Sequence, residues 1–218
     1  LRLSHNYIRI EETGGNVYTQ HGGRNNGPVW IHHNVIENVD RGLVWVDRGG
    51  AKNIHVYNNT VTFADAGDRA GAILSAPIRS RRDNKIQNWI ARNNIFIAPE
   101  SQPRKLFREN GDDLDITVTD NVMVNVSNVP VGNETNVTPR FHQAGDRPWP
   151  FYQPANANSP LVDSGADIGL PFVGVAPDIG AYELDQTAPL PIGATLLGSL
   201  LLLAFVPLGL ILFNRLRR

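Results

Sequence analysis

The sequence predicts an all-β solenoid of parallel strands followed by one C-terminal transmembrane helix. Three observations predict it. An asparagine recurs at coil-like spacing, apolar residues alternate with period two around it, and a long uncharged apolar run lies near the C-terminus.

The repeat comes first. Five segments align on Asn6, Asn34, Asn59, Asn94 and Asn121, separated by 28, 25, 35 and 27 residues. Periods of that length belong to solenoids and arrays. Three positions before each asparagine stand Leu3, Ile31, Val56, Ala91 and Val118. Five before stand Leu1, Val29, Ile54, Trp89 and Ile116. Between these apolar columns runs a mostly polar one: Ser4, His32, Tyr57, Arg92 and Thr119. Such alternation describes strands with one inner and one outer face. Two residues past the asparagine the apolar column resumes at Ile8, Ile36, Val61, Phe96 and Met123, so the chain bends there and points inward again. Asparagine suits the bend because it tolerates the left-handed conformation. Stacked between coils, its amide can also form a hydrogen-bonded ladder. These five asparagines are therefore read as structural. The Asn-x-Ser/Thr triplets at Asn58, Asn125, Asn133 and Asn136 are read as chance.

One coil illustrates the strands: residues 42–46, 53–57 and 60–63, with Gly49-Gly50 and Gly67 at turns. The coils are expected over residues 1–155. The chain opens inside a repeat at Leu1, so the solenoid is expected to be truncated at its N-terminus. A capping segment follows over 156–185, because a solenoid end exposes its core. Its apolar residues, among them Leu161, Val162, Phe172, Ile179 and Tyr182, are expected to cover the last coil. Asp163 and Asp178 are given turn and capping roles. Residues 186–191 form a Pro-rich linker.

Residues 192–213 carry no charge, and as a helix they span roughly 33 Å at about 1.5 Å per residue. That matches a hydrocarbon core of about 30 Å. Arg215, Arg217 and Arg218 follow, which places the C-terminus in the cytoplasm and the solenoid outside, at the cell surface.

Composition narrows the function classes. The net charge is −1, which disfavours a nucleic-acid partner. Cysteine is absent, which excludes disulfides, zinc-thiolate sites and thiol nucleophiles.

At "HNVI", "NNTV" and "NNIF" (residues 33–36, 58–61 and 93–96) the chain resembles the pectate-lyase-like superfamily of right-handed parallel β-helices. The stretches Asn158 to Gly165 and Pro177 to Glu183 resemble the closing segment of bacterial surface β-helix proteins. The Pro-rich junction, apolar span and terminal arginines resemble exosortase-type sorting tails, without the Pro-Glu-Pro core. There is no LPxTG motif. The resemblance implies a surface protein acting on or binding an acidic polysaccharide along a sheet and its flanking turns. If the protein is a lyase, it implies a lysine or arginine base and calcium; no cofactor is otherwise evident. The alternative is a non-catalytic stalk or adhesin.

Candidate substrate-binding residues follow. Asp47, Arg48 and Lys52 come after one coil's first strand. Arg79, Arg81, Arg82 and Lys85 lie in the longest interval between ladder asparagines, and insertions in repeat proteins collect on the working face. Arg41 and His21 are weaker candidates. The outward column offers Trp30, His32, His55, Tyr57 and Arg92, aromatic and hydrogen-bonding groups suited to sugar rings. No metal ligands are assigned; His32 and His33, as strand neighbours, are expected to point to opposite faces.

Overall fold

The structure, a computed structural model, describes residues 1–10, 15–21, 28–47, 52–67, 70–75, 87–107, 115–142 and 152–184. The chain divides into two units, Leu1–Gln186 and Thr187–Arg218; the second lies outside the described residues. The predicted transmembrane helix and its basic end therefore lie there too. Among the described residues no helix is long and apolar enough to cross a membrane.

The described residues of the first unit are all-β, with parallel strands in stacked sheets, as a solenoid of coils requires. The first sheet joins β1 (Arg2–Ser4), β4 (Val29–His32), β7 (Lys52–Tyr57), β10 (Gln87–Arg92) and β13 (Ile116–Thr119). The second joins β2 (Tyr7–Arg9), β5 (Val35–Val39), β8 (Thr60–Phe63), β11 (Ile95–Ile97) and β14 (Val122–Val124). A third joins β3 (Tyr18–His21), β6 (Val44–Asp47) and β9 (Leu74–Ser75), and Leu74 bridges on to Phe107. A separate short pair joins β12 (Arg104–Lys105) to β15 (Val126–Ser127).

The register stacks equivalent residues. Leu3 pairs with Ile31, Ile31 with Val56, Val56 with Ala91 and Ala91 with Val118. On the second sheet Ile8, Ile36, Val61, Phe96 and Met123 align in the same way. These columns meet Leu43, Val44, Ile73 and Leu106 in one continuous interior. Each coil alone has too little apolar surface to bury, so stacking supplies the core.

Between the first two sheets the asparagine amides form a ladder. Asn6 Nδ2 donates to Asn34 Oδ1 at 3.0 Å, Asn34 to Asn59 at 2.9 Å, Asn59 to Asn94 at 2.9 Å and Asn94 to Asn121 at 2.8 Å. Each acceptor Oδ1 also receives the backbone N–H of the asparagine before it. The ladder continues one step further, from Asn121 to Asn133 at 2.8 Å. Spacing hid that step, because only twelve residues separate the two.

The bend corrects one sequence expectation. The left-handed residue is not the ladder asparagine but the residue before it: His5, His33, Asn58, Asn93 and Asp120, with φ between 47° and 60°. Before Asn133 the same place is taken by Gly132 at φ 91°. The preceding residue takes the unusual backbone, which frees the ladder side chain to point along the stack. Asn, Asp, His and Gly are the types that accept that backbone at least cost.

A second correction concerns the C-terminal segment. It lies along the flank of the second sheet, not confined over the last coil. Leu161 and Ile179 pack on Ile95 and Val122, while Tyr152 and Ala181 pack on Val35. The cause is visible in the strands. The outward column of this sheet holds Val35, Thr60, Ile95 and Val122, whose partners on the inward face are also apolar, so both faces need cover.

Candidate functional site

The outer face of the first sheet carries aromatic, imidazole and cationic side chains in two columns. Register sets Arg2, Trp30, His55, Ile90 and Thr117 in one outward column. Ser4, His32, Tyr57, Arg92 and Thr119 form the next. Strand alternation puts both columns outside because Val29, Ile31, Ile54 and Val56 between them point in.

These side chains contact one another closely. The Trp30 and His55 rings stack at 4.2 Å with 16° between planes. Tyr57 meets Trp30 edge-on, and its hydroxyl lies 3.0 Å from His55 Nδ1. His55 and Tyr57 are 9% and 7% exposed, so their rings are largely covered, while Trp30 is half-buried. Burial lowers the His55 pKa and raises that of Tyr57. Arg92 flanks the column, donating from Nε to Thr119 Oγ1 at 3.1 Å with Asp120 Oδ2 at 3.9 Å, and Arg2 is exposed at the column's first strand; Lys52 is exposed at the start of β7.

Next to it stands an imidazole cluster. Arg2 Nε donates to His32 Nε2 at 2.9 Å, and His32 Nδ1 lies 3.0 Å from His33 Nδ1. Because Nε2 accepts from Arg2, the proton of neutral His32 sits on Nδ1 and is donated to His33. His5 stacks on His33 at 5.0 Å. This corrects the expectation that His32 and His33 face opposite ways. His33 sits at the left-handed bend, so strand alternation ends before it. Desolvation, with Arg2 and neighbouring imidazoles adding to it, lowers both pKa values to about 4. Among the described residues no group of three or more His, Cys, Asp or Glu can hold a metal ion.

The remaining sequence candidates are scattered. Asp47 ends β6 on the third sheet, where its backbone pairs with His21; both side chains lie outside the described residues. Arg48, Arg79, Arg81, Arg82 and Lys85 also lie outside them. Arg41 is exposed at the turn before β6.

Sequence reasoning missed Arg104, which is 1% exposed. Its Nη2 donates to the carbonyls of Asp40 at 2.9 Å and Ala64 at 2.7 Å, and its Nη1 reaches those of Arg41 and Gly71 at 3.4 Å. The guanidinium lies 5.6 Å from the centre of the Phe63 ring. It gathers carbonyls from the turns of two other coils, and desolvation lowers its pKa. Nothing in the local pattern "QPRKLF" marked it, because burial of this cation depends on turns far away in sequence.

The carboxylates of the C-terminal segment act on backbone amides. Asp163 Oδ1 accepts from Val175 and Ala176, and Asp178 accepts from Asp163 and Leu184. Glu183 accepts from Asp178 and Val173. Desolvation holds Asp178 above the usual range and raises Glu183 to about 7.

No family model, curated protein or solved structure matches the chain.

Proposed function

We propose that this chain is a surface-anchored, right-handed parallel β-helix of pectate-lyase-like kind that binds an acidic polysaccharide along the outer face of its first sheet. Residues 192–213 anchor it, with the C-terminus cytoplasmic. The observation that supports the binding reading is half-buried Trp30 paired in register with exposed Arg2, with Arg92 in the neighbouring outward column. Guanidinium groups pair with carboxylates through charge-assisted hydrogen bonds, and an indole offers apolar area to a sugar ring.

Calorimetry of the full chain with alginate, pectate and glycosaminoglycans tests it. Salt-sensitive binding is expected, weakened about tenfold in the Arg2→Gln/Arg92→Gln double variant, as loss of roughly 1.4 kcal/mol requires. Binding that ignores both substitutions would refute the assignment of this face. Ultraviolet absorbance of an unsaturated product, with and without calcium, reports whether cleavage accompanies binding.

The second reading is a non-catalytic stalk. It is favoured by the burial of His32, His55 and Tyr57, whose rings are engaged by neighbouring side chains: His55 by Trp30 and Tyr57, His32 by Arg2 and His33. Absence of binding to every glycan would leave the stalk standing.

A further inference from the structure

The loop at 171–175 reads Pro-Phe-Val-Gly-Val, and its side chains face solvent. Phe172 is 37% exposed, Val173 40% and Val175 89%. Exposed apolar residues scattered singly need no account, but three in one short loop do. The loop is also held in shape. Asp163 Oδ1 accepts the amides of Val175 at 2.8 Å and Ala176 at 3.2 Å, and Glu183 Oε2 accepts that of Val173 at 3.4 Å. Gly174 sits at φ 105°, where any side chain is strained and a Cβ would collide with the Asp163 carboxylate. Carboxylates thus hold the backbone of the loop whose apolar side chains are exposed.

The loop stands where the chain leaves this unit. Glu183, which grips the base of the loop, is followed by Leu184, tied by its own amide to Asp178 Oδ2 at 2.7 Å. Eight residues further on, at Ile192, the uncharged apolar run begins. Eight residues extend at most about 28 Å at ~3.5 Å each. A tail entering a bilayer at Ile192 thus keeps the loop base within about one linker length of the lipid surface.

We infer that Phe172, Val173 and Val175 form a membrane-contacting tip that dips into the headgroup boundary of the bilayer carrying this protein. The inference rests on the reading of residues 192–213 as the anchor. An aromatic and two aliphatic side chains suit that boundary, where apolar area is buried without a spanning segment. Contact there would fix the orientation of the first unit relative to the lipid surface.

The chain contains no cysteine, so single-cysteine variants label cleanly. The full chain is reconstituted into phosphatidylcholine/phosphatidylglycerol vesicles with an environment-sensitive fluorophore at Val173→Cys, Val175→Cys, Leu200→Cys or the exposed control Thr117→Cys. Circular dichroism verifies folding of each. The expected result is blue-shifted emission at positions 173, 175 and 200, quenched by nitroxide-bearing lipids, with an unshifted, unquenched signal at 117. Quenching at 200 without quenching at 173 and 175 overturns the tip and leaves the anchor intact. No quenching at 200 overturns the anchor, and the tip with it. A blue shift at 173 that grows with protein concentration and resists lipid quenchers marks docking of a second copy and also overturns the proposal.

Discussion

Arg104 shows how much one side chain can hold. Its guanidinium joins carbonyls of Asp40, Ala64, Arg41 and Gly71, and its Nε and Asp40 Oδ2 have no hydrogen-bond partner among the described residues. Truncation would leave buried carbonyls without donors. Arg104→Ala is expected to lower stability by about 2–4 kcal/mol, read as a fall in the urea midpoint at unchanged slope. Histidine and glutamate act in opposite directions on pH dependence. His32 and His33 titrate near 4 when folded and near 6.5 when unfolded. The unfolded chain therefore takes up their protons first, and stability is lost as pH falls from about 6.5 to 4. Glu183, raised to about 7 from 4.5, holds its proton longer in the folded state, so its contribution declines as pH rises across that interval. His33→Asn keeps a residue suited to the left-handed bend and removes one of the acid-side terms. Thermal melts from pH 7 to pH 4 should show a smaller drop for this variant than for the parent. An equal drop would place the acid sensitivity elsewhere.

At the scale of the element, the ladder and its bends set the coil. Asn94 accepts from the amide and Nδ2 of Asn59 and donates to Val56 O, Arg92 O and Asn121 Oδ1. Asn6 donates only to Ser4 O and Asn34 Oδ1 and is exposed. Asn94→Ala should therefore cost about 3 kcal/mol and Asn6→Ala about 1 kcal/mol, by chemical denaturation. Similar costs at both positions would mean that the ladder contributes little beyond its turns. The bend is testable separately. Asp120 holds φ 60°, which glycine adopts freely and valine does not. Asp120→Val should be less stable than Asp120→Gly by about 1–2 kcal/mol. The ladder positions were legible because they coincide with apolar columns of fixed offset. The left-handed residue was not, since His, Asn and Asp share that place and show no common side-chain chemistry. Asn133 escaped because the final step is short, twelve residues, which takes it off the repeat spacing.

The whole first unit behaves as a one-dimensional stack. β7 and β8 are paired on both sides, whereas β1 and β2 are paired on one side. Hydrogen exchange of this chain should be slower at the amides of β7, β8, β10 and β11, paired on both sides, than in β1 and β2, paired on one side. Uniform protection would indicate that the C-terminal segment binds the coils into one cooperative block. That segment does reach across them: Tyr152 donates to Glu37 Oε1 at 2.6 Å, Asn58 donates to Asp178 O, and Ala181 donates to Thr60 Oγ1 at 3.1 Å. From the sequence, its apolar residues could be recognised but not their destination.

Local periodicity by itself determined the coil plan: which residues face inward, where the chain bends and which asparagines align. That information is short-range, carried by alternation and by a fixed offset from one residue type. The tertiary structure alone decided which faces are covered. It laid residues 152–184 along the second sheet, buried Arg104 among carbonyls of other coils, and joined Trp30, His55 and Tyr57 into one packed group. Each of these depends on contacts between residues far apart in the chain, and burial of a charge or a ring is a property of those neighbours, not of the segment that carries it.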